Sequence, residues 1–232
     1  MLRWKSSLKP AAATNGLSNN LVRAYLAEDL TEELGNADLT VRGTSASSTT
    51  GKDNNCYTYP TDGGHITDWY PSGSAWPVSC WMNADAINSG TFNGTVGCHD
   101  GNNHRAYWGL GNSDEAVMAL GTSFGQDSAV TYSAGTWYNF ITIWDGTDAW
   151  CFINGELRIK FAPTFSGTST DPLHLGERVF NAGTSYTQWD GKQDETYIWE
   201  RALDVGSATS VGDTGGGDIA ELQTLFYASF TS

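Results

Sequence analysis

Residues Phe140 to Phe161, FITIWDGTDAWCFINGELRIKF, hold three apolar runs cut by Asp145-Gly146-Thr147-Asp148 and by Asn154-Gly155. Asn-Gly and Asp-Gly supply the positive φ angles that tight hairpin turns need, so three consecutive antiparallel strands follow from the chemistry. Similar patterns recur upstream. Trp76 to Met82 alternates well and predicts a central strand, and Arg105 to Leu110 with Ala116 to Gly121 predicts a hairpin. Cys56 to Tyr59 and His65 to Trp69 are shorter candidates flanking Asp62-Gly63-Gly64. Leu21 to Leu26 reads as the first strand. A helix over Ala24 to Leu34, with Leu26, Leu30 and Leu34 four apart before Gly35, is the alternative; strand then loop, with one helical turn at Glu28 to Leu34, is preferred. Thr44 to Gly51 and Asp204 to Gly217 read as exposed loops, and Asp218 with Glu221 as a capping box opening a short C-terminal helix. Eight or more short strands spaced by turn residues imply a sandwich or jelly roll, which a chain of 232 residues can build as a single domain.

Charge narrows the partners. The chain carries 12 basic and 26 acidic residues, a net charge of −14, and a surface that acidic repels phosphate backbones. Nucleic acid is therefore excluded as a partner, and without an 18-residue apolar run so is a helical membrane span. Arg3, Lys5 and Lys9 fall in the first ten positions, where no acid occurs. Residues 1–18, with Trp4, Pro10 and no periodicity, read as an extended arm that suits an acidic surface on a neighbouring copy or another protein; residues 19–232 form the folded domain. The start has no apolar stretch of signal-peptide length, so the expectation is a protein outside the usual secretion route. Cys56, Cys80, Cys98 and Cys151 show neither CxxC pairs nor zinc spacing, and buried thiols are expected, with one disulfide as the alternative.

Motifs for catalysis are sparse, and no catalytic residue is assigned. Asp194-Glu195 with Glu200 is an acidic cluster of the wrong parity, because adjacent strand residues face opposite sides of a sheet. Gly121-Thr-Ser123-Phe-Gly125 matches a nucleophile elbow, but the following QDSAVTYSAG is no helix, so the string reads as a loop. His65, His99, His104 and His174 are scattered in polar surroundings and read as solvated loop residues.

The meander, with Trp137 ahead of it and Gly191-Lys-Gln-Asp-Glu-Thr-Tyr-Ile-Trp-Glu-Arg-Ala-Leu203 behind it, resembles the laminin-G-like branch of the concanavalin A-like jelly rolls. That resemblance implies an all-β, two-sheet antiparallel jelly-roll sandwich. Glucanases on the same sandwich carry Glu-x-Asp-x-x-Glu on one strand, which this chain lacks. Some members hold structural calcium between the acidic loop after the first strand and the Asp-Glu strand, and the matching positions here are Glu28, Asp29 and Asp194. The alternative is that Asp194 and Glu195 only accept backbone and arginine hydrogen bonds.

The aromatic residues divide. Trp81, Trp137, Trp144, Trp150 and Trp199 lie in predicted strands and are expected in the core. Trp69, Tyr70, Trp76, Tyr107, Trp108, Tyr186 and Trp189 lie at strand ends or in loops, where rings beside polar residues can hold sugars or proteins. The functional expectation is a non-enzymatic virion surface protein of a bacteriophage, a capsid decoration or fibre component. Its arm would dock on other virion proteins while the jelly roll binds glycans. A carbohydrate-binding module of a secreted or cell-surface bacterial protein is the alternative, and an enzyme on the same sandwich is a third.

Overall fold

The computed structural model describes residues 17, 20–27, 29–43, 47–52, 55–59, 63–87, 93–99, 105–111, 113–180 and 185–228. In chain order the strands begin with β1 (Leu21–Tyr25), β2 (Thr40–Gly43), β3 (Ser47–Thr50), β4 (Asn55–Tyr59), β5 (Gly63–Ile66) and β6 (Trp76–Ala84). Then come β7 (Asn93–Cys98), β8 (Ala106–Leu110), β9 (Ala116–Leu120), β10 (Ser123–Asp127), β11 (Trp137–Trp144) and β12 (Ala149–Ile153). The last are β13 (Glu156–Phe161), β14 (His174–Leu175), β15 (Glu177–Phe180), β16 (Ser185–Gln188) and β17 (Gly191–Trp199), followed by the helix α1 (Gly217–Ala228).

Two antiparallel sheets form the expected jelly-roll sandwich. The larger, eight-stranded sheet runs β13-β12-β11-β6-β17-β4-β3, with β1 also on β17; the seven-stranded sheet runs β10-β9-β8-β7-β14-β5-β2. The meander β11-β12-β13 is where its turns put it, with Asn154 at φ 52° and Gly155 at φ 84°. Period two then sorts the side chains. Val78, Cys80, Met82, Phe140 and Ile198 from the larger sheet meet Val96, Trp108, Met118 and Leu120 from the smaller one between the layers. All four cysteines are buried as thiols. Burial pushes Cys56 and Cys80 up to about 12.

The larger sheet also buries its outer face. Trp81, Ile141, Ile143, Phe152, Tyr197 and Trp199 pack against Leu203, Ala208, Ile219 and Leu222 of the C-terminal segment. Leu17 joins them, its carbonyl accepting the Trp199 Nε1–H at 2.6 Å.

Several expectations need correction. Ser47–Thr50 is a strand, not loop, because β4 supplies a partner for its backbone. Residues 204–216 are not a loose insertion: Leu157 donates to Asp213 O, Gly212 to Leu157 O and Gly215 to Gly155 O, so the segment protects the β13 edge. Asp218 does not close a capping box; its carboxylate accepts from Arg201 at 2.7 Å and from the Asp204 N–H at 2.8 Å. Among the described residues of 26–39 there is no helical turn, since the buried Glu32 carboxylate takes N–H groups of Ala24, Leu34 and Asn36. Strand β5 ends at Ile66, short of the expected Trp69.

Candidate functional site

The outer face of the seven-stranded sheet is assembled by register. Thr40, Ile66, His174, Gly97, Tyr107, Ala119 and Phe124 stand side by side on successive strands. Their neighbours along each strand, such as His65, Leu175, Trp108 and Met118, point inward. Large and small residues alternate across Phe124, Ala119, Tyr107, Gly97 and His174. Phe124 is 46% exposed, whereas Ala119, Tyr107 and His174 are buried.

Arginines frame this face. Arg178 lies 3.5 Å from the centre of the Tyr107 ring and Arg105 5.9 Å from it. Burial pushes Arg178 down to about 10, with the neighbouring Arg105 adding to the effect. Arg105 donates through Nε to Gly121 O at 2.5 Å and through a terminal nitrogen to Ser123 O at 3.2 Å, which fixes it against the β9–β10 turn. That turn is what the Gly-x-Ser-x-Gly string forms.

On the other side of the face, Gly176 at φ +76° turns the chain out of β14 into the β15–β16 hairpin. Glu177 then lies on Gly64, where a side chain would collide with it. Its carboxylate accepts from Arg42 Nε at 2.7 Å and meets His174 Nδ1 at 2.7 Å. Burial alone would raise Glu177, but His174 and Arg42 hold it below the usual carboxylate range. His65 and His174 are therefore buried strand residues rather than solvated loop ones, and His99 is also buried.

The carboxylates expected to hold calcium are placed apart in role. Asp29 Oδ1 accepts the Thr31 N–H at 2.7 Å, and its carbonyl accepts the Tyr57 hydroxyl. Asp194 is buried opposite Trp81 in register, under Gly51, and accepts the Lys52 N–H at 3.0 Å. Glu28 lies outside the described residues. Among the described residues no three His, Cys, Asp or Glu side chains gather as a metal site.

A sequence model of the concanavalin A-like lectin/glucanases superfamily, of laminin-G type, matches residues 37–207. The chain belongs to this superfamily. No curated protein matches the sequence. Among solved structures it is similar to domain 4 of AbnA, a GH43 extracellular arabinanase from Geobacillus stearothermophilus, in complex with arabinotriose. The TM-score is 0.63 at 20% identity, over 79% of this chain and 94% of that one. It is also similar to the binding domain of botulinum neurotoxin DC in complex with SialylT, at TM-score 0.59 and 13% identity, over 91% of this chain and 52% of that one. A sialidase of Trypanosoma rangeli in complex with the inhibitor DANA matches at TM-score 0.59 and 11% identity, over 89% of this chain and 32% of that one. At these identities the likeness shows the fold. The chain spans about half the length of the toxin domain and a third of the sialidase.

Within this lectin/glucanase sandwich the aromatic expectations need correction. Trp69, Trp76, Trp108 and Trp189 are core residues: Trp69 and Trp76 meet edge to face at 5.6 Å, Trp76 stacks on Trp108 at 6.4 Å, and Trp189 Nε1 donates to Lys192 O. Their faces are filled by protein, because large rings are what a two-sheet core of this width needs. Tyr107 is on the outer face but roofed by Arg178, and among the described members of the set only Tyr70, at 43% exposure, presents an open ring. The Tyr186 side chain, and arm residues Arg3, Trp4, Lys5 and Lys9, lie outside the described residues. Trp81, Trp144, Trp150 and Trp199 are buried as expected, and Trp137 is half-buried. Phe124 and Arg105 were missed; the strand pattern of SFGQD, with Phe124 opposite in parity to the inward-facing Gly125, was the available signal.

Proposed function

We propose that this protein is a non-enzymatic carbohydrate-binding module that meets glycans at the β10 edge of its seven-stranded sheet. The observation that carries it is the exposed Phe124 ring at the β10 edge of that sheet. Ring faces of this kind stack on sugars, while the flanking donors meet hydroxyls. A lectin-like superfamily, and a similar domain solved with arabinotriose, support the reading.

Two observations support a binding rather than hydrolytic role. Glycoside cleavage needs a pair of carboxyl groups about 5–10 Å apart on an open face. The described outward row holds none, and Asp194 and Glu195 are buried in the other sheet. Binding is proposed to be independent of calcium, since Phe124 on β10 stands at the opposite edge of the sheet from β2, into which the acidic loop runs. The test is a glycan array with and without EDTA, followed by a reducing-end assay on each ligand retained. Retention unchanged by EDTA and without new reducing ends is expected. An array with no ligand, or release of reducing ends, would sink the reading.

A second reading places this module on a bacteriophage virion surface, as a capsid decoration or fibre component, and rests on the basic cluster Arg3, Lys5 and Lys9 ahead of an acidic body. Deleting residues 1–16, which spares the buried Leu17, should then abolish particle incorporation while the domain stays folded. Normal incorporation of the truncated chain would count against it.

A further inference from the structure

We propose that two copies of this chain associate through the free edge of β10, pairing antiparallel about a two-fold axis at Gly125 so that their seven-stranded sheets run on into one another. This goes beyond the glycan reading and does not depend on it.

β10 ends its sheet and pairs only with β9. The two-residue turn Gly121-Thr122 makes Leu120 and Ser123 a hydrogen-bonded pair, and an antiparallel ladder alternates from there. Ser123, Gly125 and Asp127 therefore bond to β9, while Phe124 and Gln126 point their N–H and C=O groups away from it. Among the described residues no backbone group of another segment meets those groups. The β13 and β2 edges are guarded: residues 204–216 bond along β13, and β2 carries Arg42, tied to Glu177. β10 has no such guard. Its register is regular, its first four residues Ser-Phe-Gly-Gln are uncharged, and its one acid, Asp127, turns to Arg158 at 2.7 Å. An edge without charge, proline or bulge is a template for another strand.

The residues of β10 specify a second copy as that strand. With the axis at Gly125, Phe124 lies opposite Gln126 of the second copy, and Gln126 opposite its Phe124. Each copy then gives two donors and two acceptors, and all are matched in four N–H···O bonds. A slip of one residue would set outward groups against groups already bonded to β9. The two Phe124 rings, each 46% exposed before pairing, come onto a diagonal about 7–8 Å apart at the backbone, within reach of one another on one continuous outer face. The exposed ring is thus its own complement. Strand side chains stand roughly perpendicular to the sheet, so the upper faces of both rings stay open to sugars. Five residues span about 17 Å, a contact well short of an obligate interface, so the association is reversible. Salt tightens it by screening the repulsion between two bodies of net charge −14.

Sedimentation equilibrium over a concentration series, at low and high NaCl, tests this. The wild-type mass should rise reversibly from 25.0 kDa toward twice that value, at lower concentration in high salt. Gln126→Pro removes an N–H that β9 does not use and should weaken association at least about tenfold. Gln126→Glu keeps the side-chain size at an exposed site and sets two carboxylates across the axis. It should weaken association in low salt and recover in high salt, and it decides the matter should the proline variant melt early. A chain monomeric up to about 1 mM in both salts, or a dimer that Gln126→Glu leaves unchanged, would overturn the pairing. Neither result touches the glycan array, which is read on the monomer as well as on the dimer.

Discussion

His65 sits between the sheets, its Nδ1 at 3.1 Å from the Tyr59 hydroxyl and its ring edge-on to Tyr57 at 4.3 Å. Its Nε2 is buried with no hydrogen-bond partner. Burial pushes its pKa down to about 4, against a smaller opposing pull from Glu177. The unfolded chain, with histidine near 6.5, takes up the proton first, so stability falls as pH drops from about 6.5 toward 4. The cost saturates at about 3 kcal/mol once both states are protonated. Glu177 and Asp127, both held below the usual carboxylate range, begin to lose their contribution only near about pH 5, so the fall above that pH belongs mainly to the histidine. Urea midpoints should fall between pH 7 and pH 4.5 in the wild type, and His65→Asn should flatten that slope. An unchanged slope in the variant would assign the acid sensitivity elsewhere.

At the scale of the element, α1 serves as a lid on the larger sheet. Ile219 and Leu222 are fully buried on Phe152 and its neighbours, and Gln223 reaches across to Asn139 Oδ1 at 2.9 Å. The Arg-Ala-Leu stretch after β17 explains itself here. Leu203 packs under the helix, while Arg201 and the Asp204 N–H both bond to Asp218 at its start. Leu222→Ala should cost about 2–5 kcal/mol by leaving a cavity, and Asp218→Ala about 1–3 kcal/mol by orphaning two donors. Both are measurable as urea midpoint shifts at constant m. A shift below about 0.5 kcal/mol for Leu222→Ala would show that the helix is not part of the cooperative unit.

The whole molecule is held together at one edge by a polar clasp rather than by a strand pair. Asp127 at the end of β10 accepts from Arg158 of β13 at 2.7 Å and from the Tyr132 hydroxyl at 3.0 Å, so the two sheets are tied through a nearly buried ion pair. Burial alone would raise Asp127, but Arg158 holds it below its ordinary range. Arg158→Ala strands a buried carboxylate and should cost about 3–5 kcal/mol, whereas replacing both partners by apolar residues should cost much less. Equal losses in single and double variants, read from denaturant unfolding, would argue against the clasp.

The β11–β13 meander, the β8–β9 hairpin and the burial of Trp81, Trp144, Trp150 and Trp199 were legible because turn chemistry and period two are local properties of the chain. The site was legible only in kind. Trp69, Trp76, Trp108 and Trp189 carry the same sequence signal as a sugar-binding ring. Burial is settled by which strands become neighbours, and those come from segments far apart in the chain, as Tyr57 and Gln193 show. Sequence by itself determined a sandwich, since alternation and hairpin turns permit little else. Only tertiary packing decided which rings are buried and which, like Phe124, stay exposed, because that depends on cross-sheet register and on where the β15–β16 hairpin comes to rest.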